Sequence, residues 1–176
     1  DSHRRQRQMC IRDRHKGMTE ETYSIWLQNS VHNKNIHDLI KRYASEENKD
    51  SFSPHVTLVS NINSEEKALK ILQKLSDKKP LIVFDKVSTG DTYFQKLYLE
   101  SSDNTYFFNS VSKIEGWPSL WVPHLSLSYG DELPKSFDLG ELNELIPITI
   151  SFDTLSLYKT GPKVSEWKEI TTLRLN

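Results

Sequence analysis

The sequence predicts an α+β fold with mostly antiparallel strands, and three observations carry that prediction. Strand-type and helix-type hydrophobic periodicity follow one another as strand, helix, strand, helix, strand, strand over the first hundred residues. A long strand–turn–strand segment closes the chain, residues 148–160 and 165–175 around Gly161-Pro162. One five-residue pattern also occurs twice. Pro54-His55-Val56-Thr57-Leu58 returns in outline as Pro123-His124-Leu125-Ser126-Leu127, with the two histidines 69 positions apart.

Residues 1–17 do not read like the rest. They hold Arg4, Arg5, Arg7, Arg12, Arg14 and Lys16 with almost nothing apolar, and they lack the apolar middle of a signal peptide. The expectation is a leader foreign to the domain, with Met18 as the natural start and residues 18–176 as one domain. The alternative is a natural basic tail for an anionic partner. The leader takes six of the 23 basic residues and two of the 24 acidic ones, which leaves 18–176 with a net charge of −5. A broad nucleic-acid footprint would want a basic stripe, so no long nucleic acid is expected as partner.

The chain length suits one domain with a real core, and its composition is that of a soluble globular protein. No apolar run approaches the roughly 18 residues of a membrane span, so no membrane partner is expected. The single cysteine, Cys10, cannot form an internal disulfide. With no recognisable address, the default location is cytoplasmic, and a monomer is expected.

Residues 22–28 read as the first strand, with Ser24 and Trp26 on one face. Residues 35–44 read as a helix, because Ile36, Leu39, Ile40 and Tyr43 follow the i, i+3, i+4, i+7 stripe. His37 falls beside that stripe and His32 in the preceding loop; neither is given a role. Ser64-Glu65-Glu66-Lys67 opens a second helix with a cap and early acids, closed by Lys78-Lys79-Pro80. Strands follow at 81–88 and 93–100, with Gly90-Asp91 as the turn. Residues 104–114 read as a third helix, and Trp117 and Trp121 as packing over the second histidine segment. A shorter helix lies near 139–145.

Each copy of the repeat has strand character. Residues i and i+2 of a strand share a face, so His55 stands beside Thr57, and His124 beside Ser126, with apolar residues behind. If the strands meet, two imidazoles and two hydroxyls converge. Metal-free phosphoester cleavage needs such a set. A neutral imidazole takes a proton from water and a protonated one gives a proton to the leaving oxygen, both near the ordinary pKa of ~6.5. Hydroxyls donate to phosphate oxygens as charge moves. One copy alone is most simply a strand with a surface histidine; two copies, each preceded by Pro, reverse that weighting.

The His-x-Thr/Ser pair resembles the signature of the two-histidine (2H) phosphoesterase superfamily. Tyr23-Ser24-Ile25-Trp26-Leu27, the stretch Phe52 to Ser60, and the closing segment with Lys159-Thr160-Gly161 and Trp167 resemble its plant and fungal cyclic nucleotide phosphodiesterase branch. The resemblance implies a duplicated, two-lobed fold, helices outside and the active-site cleft between the lobes. It implies hydrolysis of a nucleoside 2′,3′-cyclic phosphate to the 2′-phosphate, or of ADP-ribose 1″,2″-cyclic phosphate, a small cyclic-phosphate nucleotide being the partner. Carried over, His55 and His124 are catalytic, with His124 favoured as base and His55 as acid, and Thr57 and Ser126 bind the phosphate. Tyr129 and Trp26 hold the nucleotide, and Lys159 is a weaker phosphate contact, with an exposed hairpin lysine as its plainer reading. Tyr129 carries a tension. Five residues past His124, it turns to the opposite face unless the strand bends before Gly130; otherwise it is core. No cluster with metal-ligand spacing accompanies the histidines, so no metal and no cofactor are expected. The rival readings are an RNA-end-processing two-histidine enzyme, such as a 2′,5′-ligase or nuclease, and a catalytically silent nucleotide- or RNA-binding module.

Overall fold

The computed structural model describes residues 21–31, 33–75, 79–103, 114 and 122–176. The expected leader, His32, Lys78, the helix expected at 104–114 apart from Ile114, and Trp117 and Trp121 lie outside the described residues. Among the described residues the elements are β1 (Thr22–Gln28), α1 (Lys34–Glu46), β2 (Val56–Ile62), α2 (Glu65–Lys74), β3 (Leu81–Phe84), β4 (Lys86–Thr92), β5 (Gln95–Glu100), β6 (His124–Ser128), α3 (Leu139–Leu145), β7 (Ile148–Ser151), β8 (Thr154–Thr160) and β9 (Lys168–Arg174).

Seven strands form one antiparallel sheet in the order β4-β5-β6-β2-β1-β8-β9, and β3 pairs with β7 in a separate two-stranded ribbon. The fold is α+β with a mostly antiparallel sheet, as the sequence predicts. Its two halves meet where β2 joins β6, the two strands that begin at the histidine motifs. That seam is thin: a single register pair, Val56↔Leu125, joins the halves.

The back of the sheet is the core. Ile25, Leu27, Val56, Leu58, Leu125, Leu127, Leu155 and Leu157 are fully buried there. Each such side chain contributes about 1.5–3 kcal/mol on leaving water. Helix α1 covers β6 with Ile36, Leu39, Ile40 and Tyr43, the stripe read from the sequence, and α2 packs on β1 and β8 with Ala68 and Leu72. Both helices begin at a side-chain cap that satisfies an otherwise orphaned amide. Asn33 accepts from the Ile36 N–H and Ser64 from the Lys67 N–H. The core at the back leaves the front of the central strands free to carry polar groups.

Three boundaries differ from expectation. The strand expected over 81–88 is two strands broken at Asp85, whose carboxylate takes the backbone N–H and hydroxyl of Ser102. That side-chain competition for backbone groups ends pairing, and β3 leaves for β7. Likewise 148–160 is broken at Phe152–Asp153, where Asp153 binds Ser30. Gly90-Asp91 is not the β4–β5 turn; the chain reverses at Tyr93–Phe94. Gly90 instead serves a register shift between Thr89 and Thr92. A Cβ there would lie 2.2 Å from the Gln95 carbonyl oxygen, so only glycine allows the approach.

Candidate active site

The seam between the halves positions the four motif residues. Because β2 and β6 run antiparallel with Val56 opposite Leu125, continuing the register one residue each way sets His55 opposite Ser126 and Thr57 opposite His124. The motifs thus face one another as near two-fold mates. The imidazoles lie on a diagonal, where neighbouring Cα atoms stand about 7–8 Å apart. All four side chains line one cleft, with Thr22, Ser24, Trp26, Ser60, Asn61, Phe94, Tyr129, Thr160, Gly161 and Trp167.

The proline of each motif has a local role. It holds the chain extended and keeps the preceding residue out of the helical region. The carbonyl two residues before each histidine then meets its Nδ1. His55 Nδ1 is 2.7 Å from the Ser53 oxygen, and His124 Nδ1 is 3.4 Å from the Val122 oxygen. With Nδ1–H donating to the carbonyl, Nε2 is the nitrogen left for chemistry. In His55 it lies 3.5 Å from the Tyr129 hydroxyl, at the long limit of a hydrogen bond.

Both imidazoles are buried, His55 5% and His124 7% exposed. Burial, which disfavours the charged form, pulls each pKa down to about 4. The carbonyl partners oppose this, and His124 lowers His55 a little further. Each histidine is therefore neutral at pH 7 in the free protein, ready to accept a proton.

The hydroxyls differ. Thr57 is half-buried, and its hydroxyl has no hydrogen-bond partner among the described residues. Ser126 is buried and donates to the Phe94 carbonyl at 3.3 Å.

The tension over Tyr129 resolves in favour of a bend. β6 ends at Ser128, and Gly130 has φ +150, a conformation that favours glycine. The Gly130 N–H donates to the Tyr93 carbonyl at 2.9 Å. Ahead of Gly130, the pairing with β5 shifts register between Leu97 and Tyr98, so that β6 advances two residues for one and its alternation changes before Tyr129. The Tyr129 ring lines the cleft, stacked on Phe52 at 4.2 Å. Trp26 lines the cleft but is 4% exposed, so little of the indole is open to a nucleotide. Lys159 is not brought to the cleft. It alternates with Tyr158 and Thr160 to the other face of β8, and its ammonium pairs with Glu21 at 2.8 Å.

Sequence reasoning passed over several cleft residues. Phe94 arrives through the two-residue turn, which lacks turn composition. Trp167, quoted only as part of a resemblance, is half-buried on the cleft wall with its Nε1–H donating to the Gly161 carbonyl at 2.9 Å. Asn61 sits at φ +63 where the β1–β2 register shifts. The i+2 spacing of Ser24 from Trp26 was the one available signal for that side of the cleft.

The cyclic phosphodiesterase-like family model matches residues 22–116, more than half of the chain, including the first motif. The chain belongs to this family. Its members are two-histidine phosphoesterases, and phosphoester chemistry is the activity class of the family. Among solved structures, one described as a phosphoesterase is 10% identical, with 89% of this chain and 99% of that chain covered and a TM-score of 0.57. LigT of E. coli, solved in complex with phosphate and with 3′-AMP, is 10% identical, with 89% of this chain and 98% of LigT covered and TM-scores of 0.57 and 0.55. At that identity the likeness shows a shared fold. No curated protein sequence is significantly similar to this phosphodiesterase-like chain. Among its described residues no helix is long and apolar enough to cross a membrane, and no group of three His, Cys, Asp or Glu could hold a metal ion.

Proposed function

We propose that this protein hydrolyses a five-membered cyclic phosphate on a nucleotide, a nucleoside 2′,3′-cyclic phosphate or ADP-ribose 1″,2″-cyclic phosphate, without a metal. One observation carries the reading: the antiparallel seam sets His55 against Ser126 and Thr57 against His124 in one cleft. A phosphorus atom between the diagonal imidazoles has one on each side, the geometry that in-line displacement needs.

In this reading His124 takes a proton from water as its oxygen attacks phosphorus. The bond from phosphorus to the ribose 3′ oxygen breaks, and His55 protonates that oxygen. The product is the 2′-phosphate. Thr57 and Ser126 donate to the non-bridging oxygens as charge gathers on them. The burial that keeps both histidines neutral suits the base. The acid acquires its proton when the phosphate anion enters, because a neighbouring negative charge favours the imidazolium. The nucleoside lies against Trp167, Phe94 and Tyr129, with the polar wall of Ser24, Asn61 and Thr160 for its hydrogen-bonding groups.

The test is turnover of 2′,3′-cyclic AMP by the full chain in EDTA, with the product isomer read by 31P NMR. The expected product is the 2′-phosphate, at a rate unaffected by chelation. Trimming of oligoribonucleotide ends without turnover of the cyclic mononucleotide would move the activity to RNA ends. Binding without any turnover would make the protein a module.

A further inference from the structure

The indole of Trp26 stands between two other rings. On one side the His55 imidazole lies 3.7 Å away, centroid to centroid, at 16°. On the other, the Tyr158 ring lies 4.1 Å away at 22°. The strand order puts β2 and β8 on opposite flanks of β1, so the two rings reach opposite faces of the indole. Trp167 closes on its edge at 5.3 Å and 65°. With both faces covered, Trp26 is badly placed to stack on a nucleobase.

We propose that Tyr158 and Trp26 form a two-ring stack that positions His55 and stabilises its protonated form. Trp26 and Tyr158 are positioning residues, because they act through His55. Two features support this. The indole face and the Ser53 carbonyl together define the imidazole's plane and direction, which leaves Nε2 facing the cleft. An indole face also carries negative quadrupole and attracts a cation laid upon it, more strongly when water is excluded. The titratable groups facing His55 are His124 from β6, the Tyr129 hydroxyl beyond β6, and Tyr158 behind the indole. No carboxylate is among them in the described residues. Among the described residues, the stack and the Ser53 carbonyl are thus the groups that favour a proton on His55 before the phosphate arrives.

The inference rests on the hydrolytic reading only for its activity arm. In the full chain, Trp26→Leu removes the π face while keeping an apolar cover over His55. The His55 pKa, followed by NMR of the imidazole, should fall by about half to one and a half pH units, while that of His124 holds. For 2′,3′-cyclic AMP, kcat should drop roughly tenfold with KM within about twofold, and Trp26→Phe should restore most of both. Tyr158→Leu should move the His55 titration the same way by less, and it serves as the test if Trp26→Leu does not fold. A His55 titration unmoved in the variants that fold overturns the proposal. So does a raised KM with kcat unchanged, which would make Trp26 a substrate platform. Absence of turnover in the unsubstituted protein would sink the hydrolytic reading alone, and the titration would still judge the stack.

Discussion

The two copies of the histidine motif share a backbone and differ in surroundings. In each, a proline sets the carbonyl two residues back against Nδ1, and in each burial brings the imidazole to a pKa of about 4. Beyond that they part. His55 is held at 2.7 Å by its carbonyl and lies flat on an indole, whereas His124 is 3.4 Å from its carbonyl and meets Tyr98 edge-on at 5.6 Å. Among the described residues the Thr57 hydroxyl has no partner, while that of Ser126 is spent on Phe94. The divergence has a structural origin. β2 lies beside β1, which brings Trp26, and β6 lies beside β5, which brings Tyr98 and the buried carboxylate of Glu100 opposite His124. A repeated sequence can therefore specify where two imidazoles stand and still leave their roles to the flanking strands.

The sharpest way to break that comparison is to remove either imidazole. His55→Ala and His124→Ala should each lower kcat by about 10²–10⁴-fold. The double variant should fall well short of the product of the two losses, since an acid without its base is already disabled. Full activity in either single variant would end the acid–base pair.

The hydroxyls test the asymmetry itself. A lost donor to a developing oxyanion costs on the order of 10²-fold. Thr57→Ala should approach that figure, and Ser126→Ala should cost several-fold less because its proton already has an acceptor. Steady-state kcat of the two variants side by side would show it, and equal losses would mean that Ser126 gives up its bond to the Phe94 carbonyl without cost when it donates to the phosphate.

The pH dependence follows from burial. With both imidazoles near pKa 4 in the free protein, the form holding one proton is most abundant on the acid side of 6.5. The kcat/KM maximum should therefore lie below pH 6.5. The kcat profile, which reports the complex, should sit at higher pH because the bound phosphate anion raises both values. Coincident profiles near neutrality would contradict this.

The smallest expected effect is on stability. Each histidine binds its proton more weakly folded than unfolded, so each contributes stability that is complete above pH ~6.5 and lost as pH falls through about 4. The loss should be on the order of a few kcal/mol. Urea melts between pH 7 and 4 should show it, and His124→Gln should flatten the dependence by about half. An unchanged slope in that variant would place the acid sensitivity elsewhere.

Much of this protein was legible in its residues because short-range chemistry wrote it. The stripe from Ile36 to Tyr43, the cap at Ser64, and the i+2 spacing of His55 with Thr57 and of His124 with Ser126 are local patterns, and local patterns translate directly into faces of helices and strands. The proline before each histidine was visible as a repeat, although its pairing of Nδ1 with a carbonyl was not. The tertiary structure decided what no local pattern encodes. Strand order put β2 against β6 and so brought together residues 69 positions apart. It also put Tyr158 and His55 on opposite faces of Trp26. The turn at Tyr93–Phe94 and the register shift between β5 and β6 brought Phe94 and Tyr129 to the cleft, and alternation along β8 carried Lys159 away from it. The physical reason is that a side chain's period in a strand is local, while its neighbours belong to whichever strands the buried back of the sheet draws alongside.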